Sequence, residues 1–520
     1  MTGLDDDTLV GAVLRGGDIH ADVPMVFASR ERPHRTTVGE LVAAARDLAA
    51  ALQARGCGPG DVVAVQLPNW HEGAVAQLAV TLCGAVLLPV VQVYGPHELG
   101  FVLRQSGARM VVAASSWRGR EPAAALVGLP DLPRLREVVV VGAPVPAGAT
   151  AFHELEKGSL PTYGRPDVAP TERALLVYTS GTTSDPKGVQ HSHASLLAEL
   201  HSPRAGGGAG RKLALFPSGH VAGLLGLLRI VVLGHETVVL DTWSAADAAA
   251  LVDEYGITSG VGAPVHLAGL LDERDRGAAT LASLRAFLVG AAGVPPALVE
   301  RAERAGIAAY RSYGSSEHPT ISEGTPADPL VKRATTDGRV IGGNEVRIVD
   351  DTGADVPEGE IVTRGAELFL GYSDPALDHD AFLPGGWFRT GDIGRMDADG
   401  YLTITDRKKD VIIRGGENIS SKEVEDVLSR HPRIAAVAAV GIPDERYGER
   451  VCAVVVLRDA GTGLDLAEIV RHFDHVGIAR QKAPERLVVV DELPRTAAGK
   501  VQKFRVRELA RAAGEVAGDR

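Results

Sequence analysis

From residue 37 onward, short apolar runs alternate with amphipathic stretches, and no other feature of the chain restricts its fold as much. Residues 37–55 read as a capped helix. Thr37 can cap, Glu40 stands three positions on as in a capping box, and Leu41, Leu48 and Leu52 recur at helical spacing. Residues 56–60 end the helix, and 61–66 follow as a strand. The pattern repeats with a helix at 72–83, a strand at 85–90, a helix at 96–105 and a strand at 110–113. Such alternation predicts βαβ units around a mainly parallel sheet, an α/β fold. At 520 residues, 45% of them apolar, the chain is long enough for two or more domains. Trp70 and His97 have no partner in this pattern and are assigned to structure.

The apolar run at 174–177 leads into Tyr-Thr-Ser-Gly-Thr-Thr-Ser-Asp-Pro-Lys-Gly-Val over residues 178–189, and a helical pattern begins near Ser195. Glycine lets backbone N–H groups approach an anion, Ser and Thr hydroxyls donate further hydrogen bonds, and Lys187 adds a point charge on phosphate. A generic Gly/Ser/Thr stretch is more often a polar turn, but this length, order and Pro-Lys-Gly ending favour a polyphosphate cradle. It is not a Walker A loop, because the lysine precedes the glycine and no Ser or Thr follows. The stretch resembles the signature loop of the adenylate-forming superfamily: acyl-CoA synthetases, nonribosomal adenylation domains and beetle luciferases. That resemblance implies that Thr179, Ser180, Gly181, Thr182, Thr183 and Lys187 hold the phosphates of ATP.

Charge and cysteine content narrow the function classes. The 54 Lys and Arg against 66 Asp and Glu leave a net charge of −12, which argues against nucleic acid or an anionic membrane as the main partner. Cys57, Cys83 and Cys452 form no CxxC pair and no metal-spaced cluster, so a reducing cytoplasm is expected. Residues 1–7 are acidic and no secretory h-region follows, while the apolar stretch 221–233 contains Arg229 and is shorter than the ~20 residues of a membrane span. No membrane anchor is expected. The three glycines at 206–208 read as a surface turn.

Further motifs resemble those of the superfamily and follow in its order. Residues 216–225 are similar to the segment lining the acyl pocket. An isolated histidine before an apolar helix is usually structural, but the resemblance assigns His220, Val221, Gly223 and His318 to that pocket. Members that activate α-amino acids carry an aspartate in this segment. Its absence here implies an uncharged acyl group. Residues 287–293 read as a strand ending in small residues, where a flat ring could lie against backbone; the resemblance assigns Gly290, Ala291 and Ala292 to the adenine pocket. Tyr-Arg-Ser-Tyr-Gly-Ser-Ser-Glu over 310–317 resembles the family's Tyr-Gly-x-Thr-Glu. It implies that Tyr313, beside Gly314, stacks on adenine, Ser316 touches the α-phosphate and Glu317 ligates Mg²⁺. Each role suits its chemistry: an aromatic face for a base, a donor for phosphate, a hard oxygen for magnesium.

Residues 386–392 end in Thr-Gly-Asp and resemble the ribose clamp, with Asp392 accepting from the ribose hydroxyls. The stretch 401–419 resembles the hinge between a large N-terminal domain, 1–408, and a smaller one, 409–520. There Arg407 contacts the nucleotide and Lys409 is the pivot. Asp406 replaces the commoner glycine, and Ser420 and Ser421 stand where many relatives have aromatic-Pro. Leu-Pro-Arg-Thr-Ala-Ala-Gly-Lys over 493–500 resembles the catalytic Pro-x4-Gly-Lys motif. In that role Lys500 meets the charge that builds on the phosphoryl oxygens as a carboxylate attacks.

These matches run from about Thr37 to Arg507, and the chain is identified as a member of the superfamily. The wording at 312–319 and 413–420 is most similar to cyclohexanecarboxylate-CoA ligases and medium-chain acyl-CoA synthetases. The resemblance implies a large N-terminal domain of βαβ subdomains, with mainly parallel sheets plus a small β subdomain, and a mobile α+β C-terminal domain. It also implies an Mg·ATP-dependent reaction in which an apolar carboxylic acid becomes acyl-AMP. The small domain then pivots, bringing Gly415 and Gly416 to the site, and coenzyme A takes the acyl group. The phosphopantetheine thiol of an acyl carrier protein is the alternative acceptor. A nucleotide-binding protein without turnover is the alternative of another class, and the joint presence of Lys187, Glu317, Asp392 and Lys500 counts against it.

Overall fold

The strand Val62–Gln66 explains the layering of the molecule. All five residues are buried, and they serve two cores in alternation: Val63 and Val65 enter one apolar cluster, Val62 and Ala64 another. A strand buried on both faces needs cover on each side. The computed structural model describes residues 8–155, 162–179, 186–202, 210–414, 417–444, 447–459, 461, 463–476, 482–496 and 499–515. Among these residues there are four sheets.

An eight-stranded sheet has at its centre the parallel strands Val86–Pro89, Val62–Gln66, Met110–Ala114 and Glu137–Val141. A nine-stranded sheet runs parallel through Ala308–Tyr313, Ala286–Val289, Ser259–Gly262, Lys212–Ala214, Thr237–Leu240 and Pro24–Ala28. The helices Val38–Ala54, His71–Leu82 and Val221–Leu233 join side chains of both sheets in a single core, with Phe27 on one side and Val63 on the other. The first of these helices has the expected capping box: the Thr37 hydroxyl accepts from the Glu40 N–H at 3.3 Å, and the Glu40 carboxylate accepts from the Thr37 N–H at 2.9 Å.

A five-stranded antiparallel sheet follows, including Gly359–Arg364, Trp387–Met396 and Leu402–Arg407. The last sheet includes the long pair Ile434–Asp444 and Gly448–Leu457 and packs against the helices Ser421–Leu428, Leu466–Val476 and Lys503–Glu515. The fold is therefore α/β, with a large N-terminal domain of mainly parallel sheets and a smaller α+β C-terminal domain.

Three local features differ from, or add to, the sequence reading. The helical pattern expected to begin near Ser195 is preceded by a further strand, since Lys187–Ser192 returns antiparallel to Arg173–Thr179 before the helix His193–His201 begins. Two residues of distant sequence, Gly371–Tyr372, cover the outer edge of that returning strand. Trp70 does more than pack: its indole N–H donates to Asp241 at 3.2 Å and the residue lines a cavity described below, whereas His97 is exposed. The two departures at the hinge meet each other. Asp406 accepts from the Ser421 N–H at 2.6 Å and from its hydroxyl at 2.9 Å, and a proline at 421 would have no such N–H to offer. The glycines at 206–208 lie outside the described residues.

Candidate active site

The carboxyl ends of parallel strands are where open α/β sheets present ligand sites, and the expected nucleotide residues collect there. After Ala286–Val289 come Gly290, Ala291 and Ala292; a Cβ on Gly290 would lie 2.9 Å from the Ser312 hydroxyl, and Ala291 takes a left-handed φ of 66°. Ala308–Tyr313 is followed by Gly314, where a Cβ would lie 2.0 Å from the Pro319 carbonyl oxygen. No side chain fits at Gly314, so the backbone can fold tightly beneath the turn that bears Ser316 and Glu317. That turn is held from behind by buried His191, whose Nε2 lies 2.7 Å from the Ser316 carbonyl oxygen. A carbonyl only accepts, which makes Nε2 the protonated nitrogen.

Thr179 and Lys187 face each other at the base of the hairpin, while Ser180, Gly181, Thr182 and Thr183 lie outside the described residues. Lys187 Nζ stands 5.0 Å from the Tyr372 ring centroid, and the Tyr372 hydroxyl donates to Glu317 at 2.8 Å. Tyr372 thus ties the phosphate-loop lysine to the proposed metal carboxylate. Local sequence pattern does not flag this tyrosine, because its position depends on the pairing of 371–372 with 189–190.

Asp392 and Arg407 oppose each other across an antiparallel pair. Asp392 is 4% exposed; one oxygen meets Arg407 Nε at 2.7 Å and the other accepts from the Tyr313 hydroxyl at 2.8 Å. Each carboxylate oxygen keeps further lone-pair capacity for a ribose hydroxyl. Lys500 enters the same group from the C-terminal domain. Its turn is closed by Thr496, whose N–H donates to the Lys500 carbonyl at 2.7 Å, and a Cβ on Gly499 would lie 3.2 Å from Val265 of the N-terminal domain. Burial, then Arg407 and Lys409, push the Lys500 pKa down to about 8, against the pull of Asp392 and Asp410. Lys409 is likewise lowered, first by burial and then by Arg407, and its carbonyl accepts from Arg507 at 3.3 Å. Gly415 and Gly416 lie outside the described residues.

A cavity of about 450 Å³ lies between the 221–233 helix and the nine-stranded sheet, and neither Asp392, Arg407 nor Lys500 lines it. Most of its wall is apolar, with Phe27, Phe216, Leu227, Ile230 and Leu288 among the lining residues. Of the four residues expected at an acyl pocket, Gly223 lines this cavity. His220 is the N-cap residue of the helix, half-buried, with its pKa lowered to about 4 by burial. Val221 packs toward Val177, Phe369 and Tyr372. His318 is fully buried behind the site, 3.1 Å from the Thr363 hydroxyl, and burial lowers its pKa to about 4.

A model of AMP-binding enzymes matches residues 18–373, and one of the AMP-binding enzyme C-terminal domain matches residues 423–500. The chain belongs to the AMP-binding enzyme family. Among similar proteins is the medium-chain fatty-acid–CoA ligase of Escherichia coli (strain K12), 36% identical over 494 residues, 91% of this chain and 85% of that one. Another is a 3-[(3aS,4S,7aS)-7a-methyl-1,5-dioxo-octahydro-1H-inden-4-yl]propanoyl:CoA ligase of Mycobacterium tuberculosis, 37% identical over 91% of this chain and 94% of that one. Among solved structures, an anthranilate CoA ligase in complex with anthranoyl-AMP aligns with a TM-score of 0.86 at 26% identity, covering 98% of both chains.

The cavity wall of this AMP-binding enzyme also holds polar groups that the sequence motifs do not single out. Arg229 lines it and pairs with the fully buried carboxylate of Glu199. A single charge in the otherwise apolar 221–233 helix is the signal that could have marked this residue.

Proposed function

We propose that this AMP-binding enzyme is an AMP-forming acyl-CoA ligase for an apolar carboxylic acid, alicyclic, medium-chain or aryl. The observation that carries this reading is the meeting of Arg407 and Tyr313 on the Asp392 carboxylate, with Lys500 near enough to feel the charges of Arg407 and Asp392, in a chain that also holds a largely apolar cavity. In this reading residues 1–408 form the adenylating domain and 409–520 a mobile domain that pivots at Lys409.

The acid's carboxylate oxygen attacks the α-phosphorus of ATP, the bond to pyrophosphate breaks, and acyl-AMP remains. Lys500 supplies a cation where negative charge grows, Ser316 donates to the α-phosphate, and Asp392 fixes the ribose. Tyr313 and the strand end at Gly290, Ala291 and Ala292 enclose the adenine. Thr179, Lys187 and the loop between them hold the outgoing phosphates. Glu317 suits Mg²⁺, an ion held through one or two carboxylates plus substrate phosphates, and its bond to the Tyr372 hydroxyl fixes the carboxylate. Bound there, the ion would offset phosphate charge. In the second half the thiol sulfur of coenzyme A attacks the acyl carbonyl and AMP leaves, after rotation has withdrawn Lys500 and brought Gly415 and Gly416 to the thiol path. Similarity to ligases named for CoA supports coenzyme A over a carrier protein as acceptor. A cytoplasmic location fits coenzyme A and ATP as substrates.

Carboxylate-dependent pyrophosphate release from Mg·ATP, with and without coenzyme A, tests the reading. The panel is cyclohexanecarboxylate, benzoate, hexanoate, octanoate and an α-amino acid. Release with an apolar acid and formation of its CoA thioester is the expected result. Adenylate without thioester would move the acceptor to a carrier protein, and silence with every acid despite ATP binding would overturn the enzyme assignment.

A further inference from the structure

The strand Leu402–Arg407 belongs to the five-stranded sheet of the N-terminal domain, and its end meets the first turn of the C-terminal helix Ser421–Leu428. The Ser420 hydroxyl donates to the Thr405 carbonyl at 2.6 Å. The Asp406 carboxylate takes the Ser421 N–H on one oxygen at 2.6 Å and the Ser421 hydroxyl on the other at 2.9 Å. Asp406 and Ser421 are both buried. A hydrogen bond to an ionised group is stronger than one between neutral groups, and a low-dielectric surrounding strengthens it further.

The contact continues toward the site. Having donated its one proton to Asp406, the Ser421 hydroxyl accepts from the Lys503 ammonium at 2.5 Å, and Lys503 also pairs with Glu425 at 2.9 Å. Lys503 opens the helix Lys503–Glu515, three residues after Lys500. On the other side Asp406 precedes Arg407, whose guanidinium meets Asp392 at 2.7 Å. A line of polar contacts, Asp406 to Ser421 to Lys503, thus joins the strand that carries the nucleotide-site arginine to the segment that carries Lys500.

The proposed pivot, Lys409, runs between these partners. The Lys408 N–H donates to the Gly391 carbonyl at 2.9 Å, and its ammonium pairs with Asp351 at 2.6 Å and Glu360 at 3.2 Å, so residue 408 is fastened to the N-terminal domain. One residue on, the Lys409 carbonyl accepts from Arg507 at 3.3 Å and Asp410 pairs with the same guanidinium at 2.8 Å, which fastens 409 and 410 to the C-terminal domain. The Asp410 and Val411 N–H groups, which donate to the Arg407 carbonyl at 2.8 and 3.1 Å, span the gap. A rotation there leaves the Ser421–Lys503 and Lys409–Arg507 contacts intact, since all four residues belong to 409–520. It parts Ser420 and Ser421 from Thr405 and Asp406, which stand on the opposite side.

We propose that Asp406 is a positioning residue that, by way of Ser421 and Lys503, holds the C-terminal domain in the arrangement that keeps Lys500 at the nucleotide, and that its grip on Ser421 must break before coenzyme A reacts. The inference rests on the acyl-ligase reading with its pivot at Lys409 and names the residues that hold one of its two states. Loss of the contact weakens that state alone, so it shifts the balance between the half-reactions instead of slowing both. The test measures two rates on one preparation each of the parent, Asp406→Ala and Ser421→Ala proteins. One is single-turnover acyl-AMP formation from Mg·ATP and the best acid of the panel; the other is thioester formation when that acyl-AMP is supplied with coenzyme A. Their ratio does not depend on how much of the preparation is folded, so a merely structural role would not move it. Asp406→Ala should raise the ratio of thioester formation to adenylation at least tenfold, the scale of a hydrogen bond to a charged group. Ser421→Ala, which keeps the N–H bond to Asp406, should raise it by less. A rise below tenfold in Asp406→Ala, or none in Ser421→Ala, overturns the inference while leaving the ligase reading intact. A parent that lacks either product defeats the ligase reading and this inference with it.

Discussion

Asp406→Ala should loosen the start of the Ser421–Leu428 helix by about 2–4 kcal/mol, and the structure gives the terms. Asp406 and Ser421 are buried, at 4% and 0% exposed. The substitution leaves the Ser421 N–H, now bonded at 2.6 Å, in a buried position without its acceptor, a loss of about 1–3 kcal/mol. The hydroxyl bonded at 2.9 Å loses its acceptor too, but it can rotate. Ser421 Oγ also accepts from Lys503 at 2.5 Å. Burial works against the charge of Lys503, and Glu425, Asp410 and Asp406 more than offset it, so removing one anion adds roughly another 1 kcal/mol. Hydrogen–deuterium exchange of the amides of the 421–428 helix measures this directly. Protection should fall by roughly 30- to 700-fold, since ~1.4 kcal/mol is tenfold. Ser421→Ala keeps the backbone N–H and should therefore lower protection less than Asp406→Ala does. A fall of less than tenfold on Asp406→Ala would refute the reasoning, because the buried N–H would then not depend on that carboxylate.

Lys500→Ala should slow adenylation by about 10²–10³-fold in single-turnover acyl-AMP formation, the scale of losing one transition-state donor; the parental rate would remove Lys500 from the chemistry. With its folded-state pKa near 8, below the ordinary lysine value, Lys500 loses its proton as pH rises through 8, so adenylation kcat/KM of the free enzyme should fall there. Between about pH 8 and 10.5 the unfolded chain binds the extra proton, so this group makes stability rise with pH while activity falls; urea midpoints and rates over that range should move in opposite directions. Gly314→Ala sets a methyl against the Pro319 carbonyl and should lower stability by about 1–3 kcal/mol together with ATP affinity, read by thermal denaturation with and without ATP.

The alternation of strands and helices was legible because it answers to local rules: Thr37 and Glu40 cap their own helix, and the run from Val62 to Val65 is apolar because both faces of its strand are covered. The motif residues Asp392, Arg407, Tyr313 and Lys500 were named from resemblance; the structure joins the first three by direct contacts, while Lys500 feels the charges of Arg407 and Asp392. The hairpin at 187–192 was missed because its edge is completed by residues some 180 positions away. Asp406 and Ser421 looked like separate departures, since the hydrogen bonds joining them cross fifteen residues of sequence. The polar groups of the cavity wall were legible only in part: Arg229 stands out as the one charge of an apolar helix, but that it lines the cavity with Lys212 of a strand and His235 of a loop depends on the sheet order.

The two-residue cover at Gly371–Tyr372 also sets an order of events during synthesis. The strand Lys187–Ser192 leaves the ribosome long before residues 371 and 372 exist, and at ~5–20 residues per second its outer edge waits roughly 10–40 s for its partner. An uncovered strand edge is a template for pairing with another chain, so this interval is when the nascent protein is most exposed to misassembly. Truncation after residue 192 and before residue 371 would make that interval permanent, and such fragments should collect in the insoluble fraction.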